Sequence, residues 1–302
     1  MTTATRRRPD RPATRSHSAW RTRRSGEIEI LQVAALDRLP WVVHGFSTRR
    51  AGTSDLGGDR AFNLGFTRWD QRTRVVANRK ILMEGLGAQR GELVTLRQVH
   101  SDVIHQIESP SAQALCGDAL MTNRPGLLLA VQTADCVPIL LVDTKNRAAA
   151  AVHAGWRGTL KRIAAKTLGR MRMAFGTRPR DVIAALGPAI GQCCYEVGPE
   201  VTRAFASQFV QAEDWFDPFE TGEEPNPLQW LSMMPPGHPA PAKKSRLNLT
   251  AANTWQLTDA GVPPSQVVAS PSCTACRADL MFSYRREGAR TGRLMGVVGI
   301  RD

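Results

Sequence analysis

Long apolar runs are missing from this sequence. Across 302 residues, no stretch approaches the ~18 apolar residues of a membrane span, and no apolar segment follows the arginines near the start. Neither a spanning helix nor a secretory or twin-arginine signal is therefore expected, which points to the cytoplasm. Cysteine is sparse, at six residues; in a chain that is not exported these read as thiols or metal ligands, not as a disulfide framework. Histidine is equally sparse, again six, with His17 close to the start. A four-copper oxidase needs two His and one Cys at a blue-copper site plus a further cluster of His, and the count excludes it. No HxE occurs, the motif in which nucleobase deaminases place a glutamate beside zinc. Internal repeats are absent as well, which removes solenoids and propellers.

Basic residues are what the sequence has in excess. Of the net charge of +13, the first 24 residues carry +7, eight arginines against Asp10. This segment is rich in Arg, Thr, Ser and Pro and too poor in apolar residues to form a core, so residues 1–27 read as a disordered basic tail. Nonspecific contact with nucleic acid would run through it. An organelle transit peptide shares the Arg-rich, acid-poor composition but carries an amphipathic apolar face that this segment lacks.

From residue 28 onward short apolar runs alternate with helical stretches, the pattern of an α/β domain. Strands are predicted at 27–33, 41–46, 92–99, 102–108, 127–132, 137–143, 148–154, 182–187, 266–270 and 294–300. Helices are predicted over 71–86, 199–209 and 250–260, and from about Thr159 to a stop at Gly176, where Leu160, Ile163, Ala164, Thr167, Leu168 and Met171 recur at helical spacing. Seven prolines between Asp217 and Ser245 mark an insertion at about 217–245.

Three predicted strands end in residues that can bind a metal: RQVH in His100, LLLAVQTADC in Cys136 and AAAAVHAGWRG in His153. Two imidazoles and a thiolate suit zinc and leave a fourth position for water; spacing alone leaves each of them equally readable as a core residue. Asp135, beside Cys136, is either a partner for a metal-bound His, a general base, or a turn-capping residue. Arg157 precedes the predicted helix start and follows Gly155, an arrangement suited to phosphate or to a solvated turn. Arg49, Arg285 and Arg286 are further candidates for the same anion. Cys273 and Cys276 form a CxxC and Cys193 and Cys194 are adjacent. Because a neighbouring pair cannot easily turn both sulfurs to one ion, free thiols are expected there.

The ordered series HGFSTR (44–49), FNLG (62–65), RQVHSD (97–102), GDALMT (117–122), QTADCVP (132–138), HAGWRGTL (153–160), LGPAIGQCCYEVG (186–198), AAN (251–253) and FSYRREG (282–288) resembles the YfiH family. Its members are also called laccase-domain or polyphenol oxidoreductase proteins and peptidoglycan editing factors. The resemblance runs from residue 28 to the C-terminus. It implies one domain of layered α/β/β/α architecture with mixed sheets, a zinc site at His100, Cys136 and His153, and phosphorolysis of adenosine, inosine and methylthioadenosine together with adenosine deamination. Cys136, His153 and Asp135 would then be catalytic, and Arg157, Arg49, Asn63 and Arg285 would bind nucleoside and phosphate. Copper suits the same donors, so a single-copper polyphenol oxidase is one alternative. A hydrolase or amidase of peptidoglycan precursors is another, with Cys136 activated by His153. A monomer is expected. The sequence departs from the family's pattern in Arg-Ala-Gly after STR, in the short loop before FNLG, and in Asn248 where an Asp commonly precedes AAN.

Overall fold

The computed structural model describes residues 19–110, 115–219 and 244–301. The first strands are β1 (Trp20–Ser25), β2 (Ile28–Val33), β3 (Val42–Ser47), β4 (Arg50–Leu56), β5 (Asp59–Ala61), β6 (Glu92–Thr95), β7 (Ile104–Gln106), β8 (Ala119–Thr122) and β9 (Leu127–Thr133). They continue with β10 (Val137–Asp143), β11 (Ala148–Ala154), β12 (Val182–Leu186), β13 (Glu196–Val197), β14 (Phe216–Asp217), β15 (Ser245–Leu247), β16 (Val267–Ala269) and β17 (Leu294–Ile300). The helices are α1 (Ala34–Asp37), α2 (Arg72–Gly85), α3 (Trp156–Leu160), α4 (Ile163–Phe175), α5 (Pro199–Ala206), α6 (Leu249–Asp259) and α7 (Tyr284–Glu287).

Two mixed six-stranded sheets carry the fold, one ordered β1-β2-β3-β17-β9-β6 and the other β16-β12-β10-β11-β8-β7. They pack face to face through Phe46, Leu129, Val131, Leu140, Val142, Ala149, Ala151 and Val298. Because side chains alternate along a strand, the other faces of the same strands need cover too. Ile139, Leu141, Ala150 and Val152 pack under α4, α5 and α6 with Ile163, Leu168, Met171, Phe205 and Leu257, while Ile30, Leu128 and Val297 pack under α2 with Leu82 and Leu86. The layers are therefore α/β/β/α, as expected. This is why β10 and β11 read as unbroken apolar runs: every residue in them is buried, each large one contributing roughly 1.5–3 kcal/mol.

Three expectations need correction. The boundary of the basic tail falls too late, because Trp20–Ser25 pairs along its whole length with Ile28–Val33 as an edge strand, with Trp20 packed near Phe46. The rest of the tail, residues 1–18, lies outside the described residues, as does the Pro-rich stretch 220–243; its flanks are joined by Phe216↔Leu247 and Asp217↔Arg246. The helix expected from Thr159 begins earlier, at Trp156, and is broken by Arg162, whose φ of 60° is left-handed. The break separates α3 from α4 and places Arg157 inside a helix, not ahead of one.

Candidate metal centre

The antiparallel register of β10 and β11 pairs Pro138 with His153 and Val137 with Ala154. The residue that enters β10, Cys136, therefore lies beside the residue that leaves β11, Gly155. His153 shares its strand face with Ala149 and Ala151 and points between the sheets at their open end. His100 arrives from the loop after β6. Their ligand atoms, Cys136 Sγ and one ring nitrogen from each His, lie within 4.8 Å of one another. Cys136 Sγ is 3.8 Å from His100 Nε2, and the two imidazoles meet edge to face with centroids 4.8 Å apart. A tetrahedral ion with bonds of about 2.0–2.3 Å needs donors about 3.3–3.6 Å apart, so the spacing fits after a small inward movement. Gly155 makes the approach possible: a Cβ there would stand 3.0 Å from Cys136 Sγ and 3.0 Å from His100 Cδ2.

Asp118, just before β8, organises the set. Its Oδ1 accepts from His153 Nδ1 at 2.8 Å, which leaves Nε2 free to face an ion. The same carboxylate accepts from the amides of Val99, His100 and Ser101 and from the Ser101 hydroxyl. These bonds hold His100 in left-handed backbone, φ 57°, a conformation costing on the order of 1–3 kcal/mol when unsupported. Burial alone would raise the Asp118 carboxyl; the bonds from His153 and Ser101 outweigh it and hold the group far below the ordinary carboxylate range. Burial would also raise the Cys136 thiol, but His153 and His100 bring it down to about 6. His153 is raised to about 9 because Cys136 and Asp118 outweigh its burial. The thiolate form, the one that binds metal, is thus favoured.

The carboxylate of Asp135 is engaged between loops. Its Oδ1 accepts from the Thr274 hydroxyl and its Oδ2 from the Arg285 amide, both at 2.6 Å, and its carbonyl accepts from Ile190. With both oxygens engaged it is a staple between loops, and Asp118 is the carboxylate on the histidine. Asp118 lies within GDALMT, where strand alternation gives no sign of it. Arg49 is likewise committed elsewhere: Nη1 bonds the Ala278 and Met281 carbonyls and Glu287, and the guanidinium stacks on Phe282. Asn63 is fully buried and bonds Gly65, Thr67, Asp70 and the Arg293 amide. Arg157 is exposed and lies over Trp156 at 4.2 Å; Asn253 and Gln256 of α6 hold its helix by bonds to Thr159. Asn248, where the family's pattern has Asp, still caps α6 by accepting from Ala251.

Arg285 stacks on Tyr195 at 5.2 Å and Arg286 bonds the Ala275 carbonyl. Tyr195, its hydroxyl pushed up by burial and by the charge of Cys136, couples electrostatically to Asp135, Arg285 and Arg157 as well. Sequence reasoning also missed a cavity of about 610 Å³ lined by Phe66, Trp69, Gln132, Tyr284, Arg290 and Arg293, among others, a size and mixed lining that suit a small molecule. Gln132 is held by Gln98, two residues before His100, and the charge of Arg293 couples to Cys136 and Asp135.

Cys193, Cys194, Cys273 and Cys276 are free thiols, but the adjacent pair does turn both sulfurs to one point: the four sulfurs lie within 4.8 Å of one another.

Comparison with known proteins agrees with this architecture. A family model described as multi-copper polyphenol oxidoreductase laccase matches residues 43–301. A purine nucleoside phosphorylase of Bacteroides thetaiotaomicron is 35% identical over 269 residues, covering 86% of this chain and 92% of that protein. Adenosine deaminase RL5, from an unknown prokaryotic organism, is 35% identical over 260 residues, covering 83% of this chain and 91% of that protein. The crystal structure of the Bacillus licheniformis hypothetical protein YfiH superposes with a TM-score of 0.79 at 29% identity, covering 94% of this chain and all of that one.

Proposed function

The chain belongs to the multi-copper polyphenol oxidoreductase laccase family, and from that premise we propose that it is a zinc-dependent purine nucleoside enzyme. It cleaves adenosine, inosine and methylthioadenosine with phosphate and also deaminates adenosine. The observation that carries this reading is the approach of His100, Cys136 and His153 around one point, beside a cavity with aromatic and guanidinium walls. The family's descriptive name does not carry over in full. Among the described residues His44 is a core residue and His105 bonds the Cys116 carbonyl, so no further histidine cluster is available for several coppers.

Zinc held by the three residues would act as a Lewis acid and acidify a bound water. Asp118, bonded to His153 Nδ1, leaves Nε2 as the nitrogen that would face the ion. Cys136 supplies a negative donor from the turn between β9 and β10, and Gly155 leaves room for His100 beside it. Trp69 and Tyr284 offer faces for a purine, Phe66 already carrying Arg72 and Arg79 on its ring, and Arg293, whose Nη1 also bonds the Thr291 and Gly292 carbonyls, offers a cation for phosphate; Arg157, coupled electrostatically to Tyr195, is the second cation. During phosphorolysis a phosphate oxygen attacks C1′ while the bond to the purine breaks, so a cation must hold the anion beside the sugar.

The test is metal content and nucleoside turnover, with phosphate present, for the wild type and His153→Ala. Loss of one metal equivalent together with at least 10²-fold lower turnover is expected; unchanged turnover would sink the assignment. Zinc and copper are told apart by the same metal measurement.

One observation favours a second reading. Cys136, His153 and Asp118 form a thiolate, imidazole and carboxylate series of the kind cysteine hydrolases use. A hydrolase or amidase acting on peptidoglycan precursors would turn over without metal and would be abolished by alkylating Cys136 in metal-replete protein. The His100 ring 3.8 Å from the same sulfur has no part in such a triad, which favours the metal reading.

A further inference from the structure

Two turns meet on the far side of Asp135. The first follows β12 and carries Cys193 and Cys194; the second follows β16 and carries Cys273 and Cys276. All four sulfurs lie within 4.8 Å of one another. Cys276 Sγ is 3.6 Å from Cys193 Sγ and 3.4 Å from Cys194 Sγ, whereas a disulfide needs about 2.05 Å. Four sulfurs around an ion with bonds of about 2.3 Å stand about 3.8 Å apart.

The local backbone explains how an adjacent pair can converge. The Gly191 carbonyl accepts from the amides of both Cys194 and Tyr195, so the segment curls and swings two consecutive side chains to one side. In the second turn Arg277 N donates to the Cys273 carbonyl, and this helical closure puts Cys273 and Cys276 on one face. The Gly191 amide donates to Cys273 Sγ at 3.2 Å, which ties the first turn to the second. The absence of a side chain at Gly191 keeps this approach uncrowded, since a Cβ there would stand 3.2 Å from Cys193 Sγ and 3.2 Å from Cys273 Cβ.

We propose that Cys193, Cys194, Cys273 and Cys276 hold a second zinc ion in a closed tetrahedral site. Thiolates are soft donors that select zinc over magnesium or calcium, and four protein ligands leave no position for water or substrate. The site is structural. It locks together the two turns that grip Asp135 through Ile190 and Thr274, and it fixes the origin of Tyr195, the residue after Cys194. The proposal does not depend on the nucleoside reading, because the two sites share no ligand.

The experiment uses the full-length protein. Zinc per chain is measured for the wild type, for His100→Ala/His153→Ala and for Cys273→Ser/Cys276→Ser. Two equivalents are expected in the wild type and one in each double variant. Replacement by cobalt(II) in Cys136→Ser, which keeps all four thiols, should give the intense thiolate-to-cobalt absorption of a four-sulfur site; this readout decides the matter if the serine variants do not fold. Loss of that absorption in Cys136→Ser overturns the proposal. So does a chain lighter by two or four hydrogens under non-reducing, denaturing conditions with zinc unchanged in Cys273→Ser/Cys276→Ser. Iron at the site overturns the choice of ion.

Discussion

The two sulfur-bearing clusters of this chain sit on either side of Asp135 and differ in almost every respect. At the first, one thiol meets two imidazoles, a buried carboxylate grips one of them, and a cavity opens nearby. At the second, four thiols meet with no histidine or carboxylate among the described residues, and a backbone amide bonds one of them in partly exposed turns. A site with three donors has an open position and can do chemistry; a site with four can only hold its loops together. The contrast shows that donor number and the groups behind the donors, more than the presence of cysteine, separate a reactive centre from a staple.

Asp118→Asn should separate the two clusters most. The amide keeps the shape but cannot accept from His153, the Ser101 hydroxyl and three backbone amides as a carboxylate does. Affinity for metal at the first site should fall 10–100-fold and turnover on the order of 10²-fold, with metal at the four-thiol cluster unchanged. Metal titration of each site checks this, and loss at both together would erase the distinction.

Acid should drain stability through a residue in neither cluster. His44, 2% exposed, accepts from the Val33 amide and burial lowers it from 6.5 to about 4, although Asp37 pulls the other way. Its stabilising contribution is complete above pH 6.5. Between pH 6.5 and 4 the unfolded chain takes up a proton that the folded chain refuses, so stability falls, on the order of 3 kcal/mol in all. Denaturant unfolding at several pH values checks it: in His44→Gln this part of the slope should be missing.

Two glycine substitutions sharpen the comparison reciprocally. Gly155→Ala drives a methyl between Cys136 and His100 and should weaken metal at the first site about tenfold, ~1.4 kcal/mol, leaving the second alone. Gly191→Ala should do the reverse. Equal loss at both sites in either variant would show the clusters to be coupled through Asp135.

The smallest effect concerns arginine. Arg49→Gln removes a clamp on two carbonyls and Glu287 and should lower stability by about 1–3 kcal/mol while leaving the KM for phosphate unchanged; Arg293→Gln should raise that KM several-fold. A raised KM in Arg49→Gln would return that residue to the substrate.

Much of the frame was legible because burial leaves a periodic trace. β10, β11 and β17 are found where their apolar runs predict them, and Leu160 to Met171 keep the helical spacing even though Arg162 breaks the helix in two. What left no trace was short or turn-bound. The strand Trp20–Ser25 hides among arginines because an edge strand can point charge to solvent, and the β4–β5 hairpin occupies the stretch that reads only as a departure from the family's pattern. Asp135 attracted attention by standing next to Cys136, but neighbours in a turn face different ways, and its carboxylate serves Thr274 and Arg285.

By itself the sequence determined the strands and helices of an α/β domain, because burial on both faces leaves unbroken apolar runs, while the order of the layers came from the resemblance to the family; it also brought forward His100, Cys136 and His153 as chemically able residues. Only the tertiary structure decided what stands behind them. Asp118 reaches His153 because β8 lies beside β11, and Cys193 and Cys194 reach Cys273 and Cys276 because the ends of β12 and β16 run parallel as neighbours. Such pairings come from strand register across tens of residues, a relation between chain segments that no local pattern records.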